Sequence, residues 1–236
     1  MGARTATYKL FNDDCINISK HCRGSKFDLI YLDPPFGTGQ KQNLGGHSYD
    51  DCSIGDEYIK FISDRVKKLL SYLDNDGALL VHLDRHYVYE VKNAIDKLGI
   101  PFQGDIIWNY RRWASNINSL QNNHDTILIF SHNLNFKKSR SIFSHSIVAP
   151  SSKERVGYPT QKPLSLLKRI IGHIEQYTKI NSVLDPFMGS GTTLVAGFDL
   201  GKKVYGFDIS KQALKIVDIR LKQATPQQLT LRQIDL

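Results

Sequence analysis

Cysteine is scarce in this chain: Cys15, Cys22 and Cys52 are the three among 236 residues. Their number is odd and no two form a CxxC pair, so neither a disulfide framework nor a cysteine-bound zinc is indicated. Long apolar runs are missing too, and none approaches the ~20 residues that a bilayer span requires. The opening MGARTATYKL has no signal-peptide core, and Ala6 stands where an N-myristoylation pattern needs Ser or Thr. A cytoplasmic protein without membrane contact is expected. HLDRH places His82 and His86 four residues apart, but it lacks the glutamate of HExxH and straddles a strand end, so no metal is expected. Acidic residues are outnumbered, 23 Asp plus Glu against 31 Lys plus Arg, for a net charge of +8. That excess favours polyanionic partners through counterion release without choosing among them.

The remaining composition, 41% hydrophobic and 23% charged, is that of an ordinary globular chain whose length suits one α/β domain over 1–236. Strand-like and helix-like stretches alternate, which argues for a mostly parallel sheet covered on both faces. FDLIYL (27–32), ALLVHL (78–83), GDIIWNY (104–110), DTILIF (125–130), SVLD (182–185) and KVYGFD (203–208) read as strands. Helices are expected over 57–73 with a Ser53 cap, 86–98, a stretch from Leu164 begun by KP, 191–200, and 211–222 capped by Ser210. Residues 131–157 break the rhythm, being rich in Ser, Lys, Arg and Asn. They read as a long surface loop or as a small element that touches a partner.

Two turns carry most of the chemistry. In YLDPPFGTG (31–39) a buried strand ends in Asp33, followed by Pro34, Pro35 and Phe36. The prolines fix φ and remove two donors, leaving a rigid acid among carbonyl acceptors: a place to hold a polar group. The loop GTGQKQNLGGHSYDD (37–51) reads as a mobile flap. In VLDPFMGSGTTLVAGFDLGKKVYGFDIS (183–210) one strand ends in Asp185 and passes through Gly189 and Gly191 into a helix at Thr192. The next strand ends in Asp208, suited to accept from the hydroxyls of a ribose. The P-loop lysine and the third glycine of the dinucleotide fingerprint are both missing. Two acids beside the glycines repel a pyrophosphate and welcome a cation, and S-adenosylmethionine, with an ammonium and a sulfonium, fits best.

With these stretches in hand the chain resembles the amino-group (N6-adenine/N4-cytosine) DNA methyltransferases. DPPF resembles their catalytic [DNS]-P-P-[YFW] motif and DPFMGSGTT their cofactor motif. YPTQKPLSLLKRII (158–171) resembles the segment that closes over the methionine end of the cofactor, and NDDCINI (12–18) the acidic segment that meets its adenine. The order, catalytic motif before PTQKP before cofactor motif, resembles the permuted β group. The resemblance implies a Rossmann-like S-adenosylmethionine-dependent fold acting on double-stranded DNA. In it Asp33 and a carbonyl at Pro34 hold the target amino group, and Phe36 stacks on the flipped base. Asp14 with neighbouring Cys15, Asp33 again, Thr160, Lys162, Asp185, Phe187, Gly189, Gly191, Thr192 and Asp208 bind the cofactor, with Thr160 and Lys162 on the methionine carboxylate.

Arg111, Arg112 and Trp113 at a strand end, with Lys137, Lys138 and Arg140, are the DNA-contact candidates; each basic group reads equally as a solvated face. A short target-recognition insertion is expected at about 114–157. A homodimer and a cognate restriction endonuclease are partners that the resemblance implies. Adenine is favoured over cytosine because the N4 enzymes more often carry SPP[YW]. The competing readings are an N4-cytosine methyltransferase, an RNA methyltransferase, and a catalytically silent DNA-binding subunit.

Overall fold

A computed structural model describes residues 6–37, 41–44, 47–50, 54–110, 122–137, 139–158 and 160–224, with backbone only for 41–50. Its centre is one eight-stranded sheet. In chain order the strands of that sheet are β1 (Tyr8–Phe11), β2 (Phe27–Leu32), β5 (Leu73–Leu83), β6 (Phe102–Asn109), β7 (His124–Phe130), β8 (Ile142–Ser144), β9 (Ser182–Asp185) and β10 (Lys203–Phe207). They lie in the order β1-β10-β9-β2-β5-β7-β6-β8. Every neighbouring pair is parallel except those made by β7, which runs against both β5 and β6. The fold is therefore Rossmann-like α/β with a mostly parallel sheet.

Two layers of helices follow from the alternation of side chains along the strands. Leu29, Tyr31, Ala78, Leu80 and Val183 point into one core. There they meet α4 (Leu164–Glu175), α5 (Thr192–Asp199) and α6 (Lys211–Gln223). Ile30, Leu32, Leu79, Val81 and Leu184 point to the other face, against α1 (Ile18–His21), α2 (Gly55–Leu70) and α3 (Val88–Asp96). In α2 the buried Tyr58, Ile62, Val66 and Leu69 form one stripe. Asp56 and Glu57 in its first turn, with Lys67 and Lys68 in its last, complement the helix dipole. Burying a core leucine such as Leu80 in this way is worth ~2–5 kcal/mol against alanine.

Several expectations need correcting. The first strand, β1, was not foreseen; at the edge of the sheet none of YKLF is fully buried, so it carries no apolar run to announce it. Helix α2 stops at Leu70 rather than 73 because the Tyr72 carbonyl accepts from Phe27 N and Leu73 joins the sheet beside Phe27. Ser53, its expected cap, lies outside the described residues; Gly55 N donates instead to the Tyr87 hydroxyl. Helix α3 starts two residues late because the Asp84 carboxylate holds a turn through His86 N. Within the stretch read as a mobile loop, β3 (Lys41–Leu44) and β4 (His47–Asp50) pair antiparallel; residues 38–40, 45–46 and 51 lie outside the described residues. Strands β7 and β8 both belong to the main sheet, although they fall in the span read as an insertion. By contrast, Ser210 does cap α6, accepting from Ala213 N. Among the described residues no helix is long and apolar enough to cross a membrane.

Candidate active site

The carboxyl ends of β1, β10, β9 and β2 lie along one edge of the sheet, and the chain reverses its direction of winding there. Such switch points open a crevice for ligands. Here the crevice is a cavity of about 500 Å³, and the strand ends bring Asp14, Asp208, Asp185 and Asp33 to its wall. Asp13 adds a fifth carboxylate, and among the described residues Lys162 is the one lysine or arginine on the lining. The net field is negative, fitting a ligand with cationic groups and not a phosphate.

Burial pushes the Asp185 carboxyl up to about 7, with Asp33 and Asp208 adding like charge, against bonds from Phe187 N and the Thr193 hydroxyl. Burial likewise raises Asp208, whose oxygens accept from Gly189 N at 2.9 Å and Ser210 N at 2.8 Å. The two backbone bonds fix the Asp208 carboxylate across the glycine turn. Gly189 has φ +47°, and a Cβ there would meet the Tyr158 ring at 3.0 Å. Gly191, at φ +75°, does not line the cavity; a Cβ would lie 2.5 Å from Val217 Cγ2, so packing on α6 demands this glycine. Thr192 and Phe187 do line the wall.

At the other end, Asp33 accepts from Lys162 Nζ through both oxygens, at 2.8 and 2.7 Å, and Nζ lies 4.9 Å from the centre of the Phe36 ring. Pro34 and Pro35 complete that wall. Lys162 is delivered by a backbone held on both sides. Gln161 accepts from Val156 N and donates to the Glu154 carbonyl, and Glu154 in turn accepts from Leu164 N at the start of α4. Thr160, exposed at the rim, has φ +54°, a conformation few non-glycine residues adopt.

Asp14 caps the short turn Cys15–Asn17 by accepting from Ile16 N, and Arg65 grips both its oxygens. Burial raises the Cys15 thiol, so it lines the cavity as an inert neutral group. Arg65 also lies 3.5 Å over the Phe61 ring, which sits 6.0 Å from that of Phe187. Sequence reasoning missed Phe61 and Arg65. Their only signal is a spacing of four on the flank of α2, which any solvated helix also shows.

A second missed feature lies under Phe36. The Tyr31 hydroxyl is 2.6 Å from His82 Nδ1, and His82 Nε2 is 3.1 Å from Asp125 Oδ2. Burial is the largest single influence and works against an ionised Asp125, but the His82 hydrogen bond and the electrostatic attraction of His82, Lys162 and His124 together outweigh it and hold the carboxyl below its usual range. A carboxylate only accepts, so Nε2 carries the proton and Nδ1 accepts from Tyr31. His82 is therefore a packed, satisfied core histidine whose ring lies 6.2 Å from that of Phe36. Among the described residues no His, Cys, Asp and Glu cluster could hold a metal.

Of the DNA-contact candidates, Lys137 and Arg140 are exposed on the β7–β8 connection, away from the cavity wall. Arg111, Arg112, Trp113 and Lys138 lie outside the described residues.

A family model of N6/N4 methyltransferases, described as DNA methylase, matches residues 27–218. The chain belongs to this DNA methylase family. The type II methyltransferase M2.LlaDCHI of Lactococcus lactis subsp. cremoris is 28% identical, with 91% of this chain and 89% of that one aligned. M2.DpnII of Streptococcus pneumoniae is 27% identical over 90% and 89% of the two chains. Two solved structures share the fold. The M1.HpyAVI–SAM complex has a TM-score of 0.69 at 21% identity, covering 91% of this chain and 99% of that one. The cytosine-N4-specific PvuII DNA methyltransferase has a TM-score of 0.72 at 16% identity, covering 98% and 90%. The methylase family thus spans nearly all of the sheet described above, including both acidic turns.

Proposed function

We propose that this DNA methyltransferase transfers a methyl group from S-adenosylmethionine to the exocyclic N6 of adenine at specific sites in duplex DNA. The observation that carries the reading is the shared cavity. Asp33 and Phe36 stand at one end, and Asp185, Asp208 and Asp14 line the rest. A cationic nucleoside and a base can thus meet on one wall. S-adenosylmethionine supplies a methyl group on a sulfonium, a leaving group that needs no acid.

The chain's residues do the rest. Asp208 takes the ribose hydroxyls, Asp185 holds the ammonium, Thr160 and Lys162 the carboxylate, and Asp14 the adenine edge of the cofactor. Gly189 keeps the turn close and Thr192 opens α5 beneath it. The target base lies inside a stacked duplex, so it is flipped out onto Phe36, a stacking contact worth about 1–3 kcal/mol. Asp33 accepts one N–H of its amino group and the Pro34 carbonyl the other, drawing the nitrogen towards tetrahedral geometry and freeing its lone pair. S-adenosylmethionine, when bound, would supply the methyl group to that nitrogen, its sulfur keeping the electron pair of the C–S bond, and Asp33 would pass the amino proton to solvent. Positioning and electrostatics account for the catalysis.

Double-stranded DNA is the partner, contacted by Arg111, Arg112 and Trp113 and by Lys137, Lys138 and Arg140. A second copy of the chain and a cognate restriction endonuclease complete the proposed set, in the cytoplasm. The test is transfer from labelled S-adenosylmethionine to unmethylated duplex DNA, followed by nucleoside mass spectrometry, with Asp33→Ala in parallel. N6-methyladenine lost in the variant supports the reading; N4-methylcytosine overturns the choice of base, and equal product from the variant overturns the mechanism.

A further inference from the structure

The Lys162 ammonium donates to both Asp33 oxygens at 2.8 and 2.7 Å and lies 4.9 Å from the centre of the Phe36 ring. That is the place the target amino group must take: a nitrogen donating to Asp33 beside the aromatic platform. Lys162 is 7% exposed, so its ammonium has left water for these partners. Its backbone is fixed by the Gln161 and Glu154 hydrogen bonds, so only the four-carbon side chain is free to change partners.

We infer that Lys162 is a placeholder for the target amino group, which couples cofactor binding to base capture. It holds Asp33 until the carboxylate of the cofactor's methionine draws it off, exposing Asp33 to the base. This rests on the proposed function. It adds that one lysine serves two acids in turn, and that the base binds well only after the cofactor. The cavity favours such an exchange, because among the described residues five carboxylates line it beside this one ammonium. A carboxylate-bearing ligand entering so negative a space needs the lysine, and the lysine must give up Asp33 to meet it.

The coupling is read without DNA and without turnover, by calorimetric binding of S-adenosylhomocysteine. This ligand keeps the ammonium and carboxylate but has no sulfonium charge, so the negative charge of Asp33 matters little to it directly. Asp33→Asn keeps the shape and weakens the hold on Lys162. It is expected to tighten binding about fivefold or more, the scale of an ordinary coupling between sites. Lys162→Met keeps the stem and removes the ammonium, and it is expected to weaken binding. In the Lys162→Met background, Asp33→Asn is expected to change nothing, because the competing pair is already gone. An unchanged or weakened affinity in Asp33→Asn, or the same effect in both backgrounds, overturns the placeholder role. The Asp33→Asn result stands alone should Lys162→Met fail to fold. Failure of the parent protein to bind S-adenosylhomocysteine at all is a different result, which removes the cofactor reading itself.

Discussion

Asp185 and Asp208 end neighbouring strands with both carboxyls on one cavity wall, and burial raises the pKa of each. The relationship is set by the sheet: Asp185 pairs in register with Gly206, two residues before Asp208. Like charges are thus placed side by side in a poorly hydrated crevice, a cost that an incoming cation relieves.

A pH dependence follows. Burial lifts the Asp185 carboxyl to about 7, and a bound ammonium favours its ionised form. The complex therefore holds fewer protons than the free protein below and around that pH. S-adenosylmethionine is expected to bind more tightly as pH rises through 7, levelling off above it, with a proton released near neutrality. Calorimetry in buffers of different ionisation heat measures that release. Stability runs the other way. The folded pKa lies above the ordinary 3.8, so the native state holds more protons than the unfolded chain in between, and Asp185 costs stability increasingly from pH 4 to 7. Asp185→Asn is expected to raise the Tm of the ligand-free protein at pH 8 while weakening cofactor binding and abolishing its pH step.

Arg65 bears on the same ligand from outside the cavity. It grips Asp14 and covers the Phe61 ring, so it sets the direction of the carboxylate read as the adenine contact. Arg65→Met is expected to raise the KM for S-adenosylmethionine about tenfold, ~1.4 kcal/mol, with kcat little changed. A fall in kcat with KM untouched would speak against this role.

The buried Tyr31–His82–Asp125 chain links β2, β5 and β7 beneath the Asp33–Phe36 turn. Removing its centre leaves a buried carboxylate and a buried hydroxyl without their partner. His82→Leu is expected to cost about 3–5 kcal/mol in urea unfolding, against about 1 kcal/mol for Tyr31→Phe, which deletes only the outer bond. Equal costs for the two would show that Asp125 reaches water or another donor when His82 is lost.

How much of this was legible in the sequence depended on whether a residue acts through its neighbours in the chain. The two acidic turns were readable because proline and glycine fix local geometry, and the strands on either side announce themselves by apolar runs. The Lys162–Asp33 pair spans 129 residues, and nothing local in PTQKP says which acid its lysine meets. His82 looked like half of a weak metal motif, and only the pairing of β5 with β7 reveals its partner Asp125. Phe61 and Arg65 sit on the flank of an amphipathic helix, where an arginine beside an aromatic is ordinary surface. Gly191 was read as a cofactor-binding position, and the side chain that an added Cβ would meet, Val217, comes from a helix that the motif does not include.

Gly189 and Gly191 look alike in the sequence but face different neighbours. Gly191→Ala puts a methyl group at φ +75° and 2.5 Å from Val217 Cγ2. The left-handed conformation alone costs an alanine roughly 1–2 kcal/mol. Overpacking against α6 adds about 1–3 kcal/mol more. Val217→Ala removes the obstructing methyls, so it should recover the steric part in the double variant and leave the conformational part. Denaturant unfolding of both single variants and the double closes the cycle, with an expected double cost clearly below the sum. Strict additivity would mean that helix α6 moves aside freely and that backbone conformation alone demands the glycine. Gly189→Ala instead meets the Tyr158 ring on the cavity wall. Its expected signature is weaker S-adenosylmethionine binding beyond any loss of stability, which Gly191→Ala should lack.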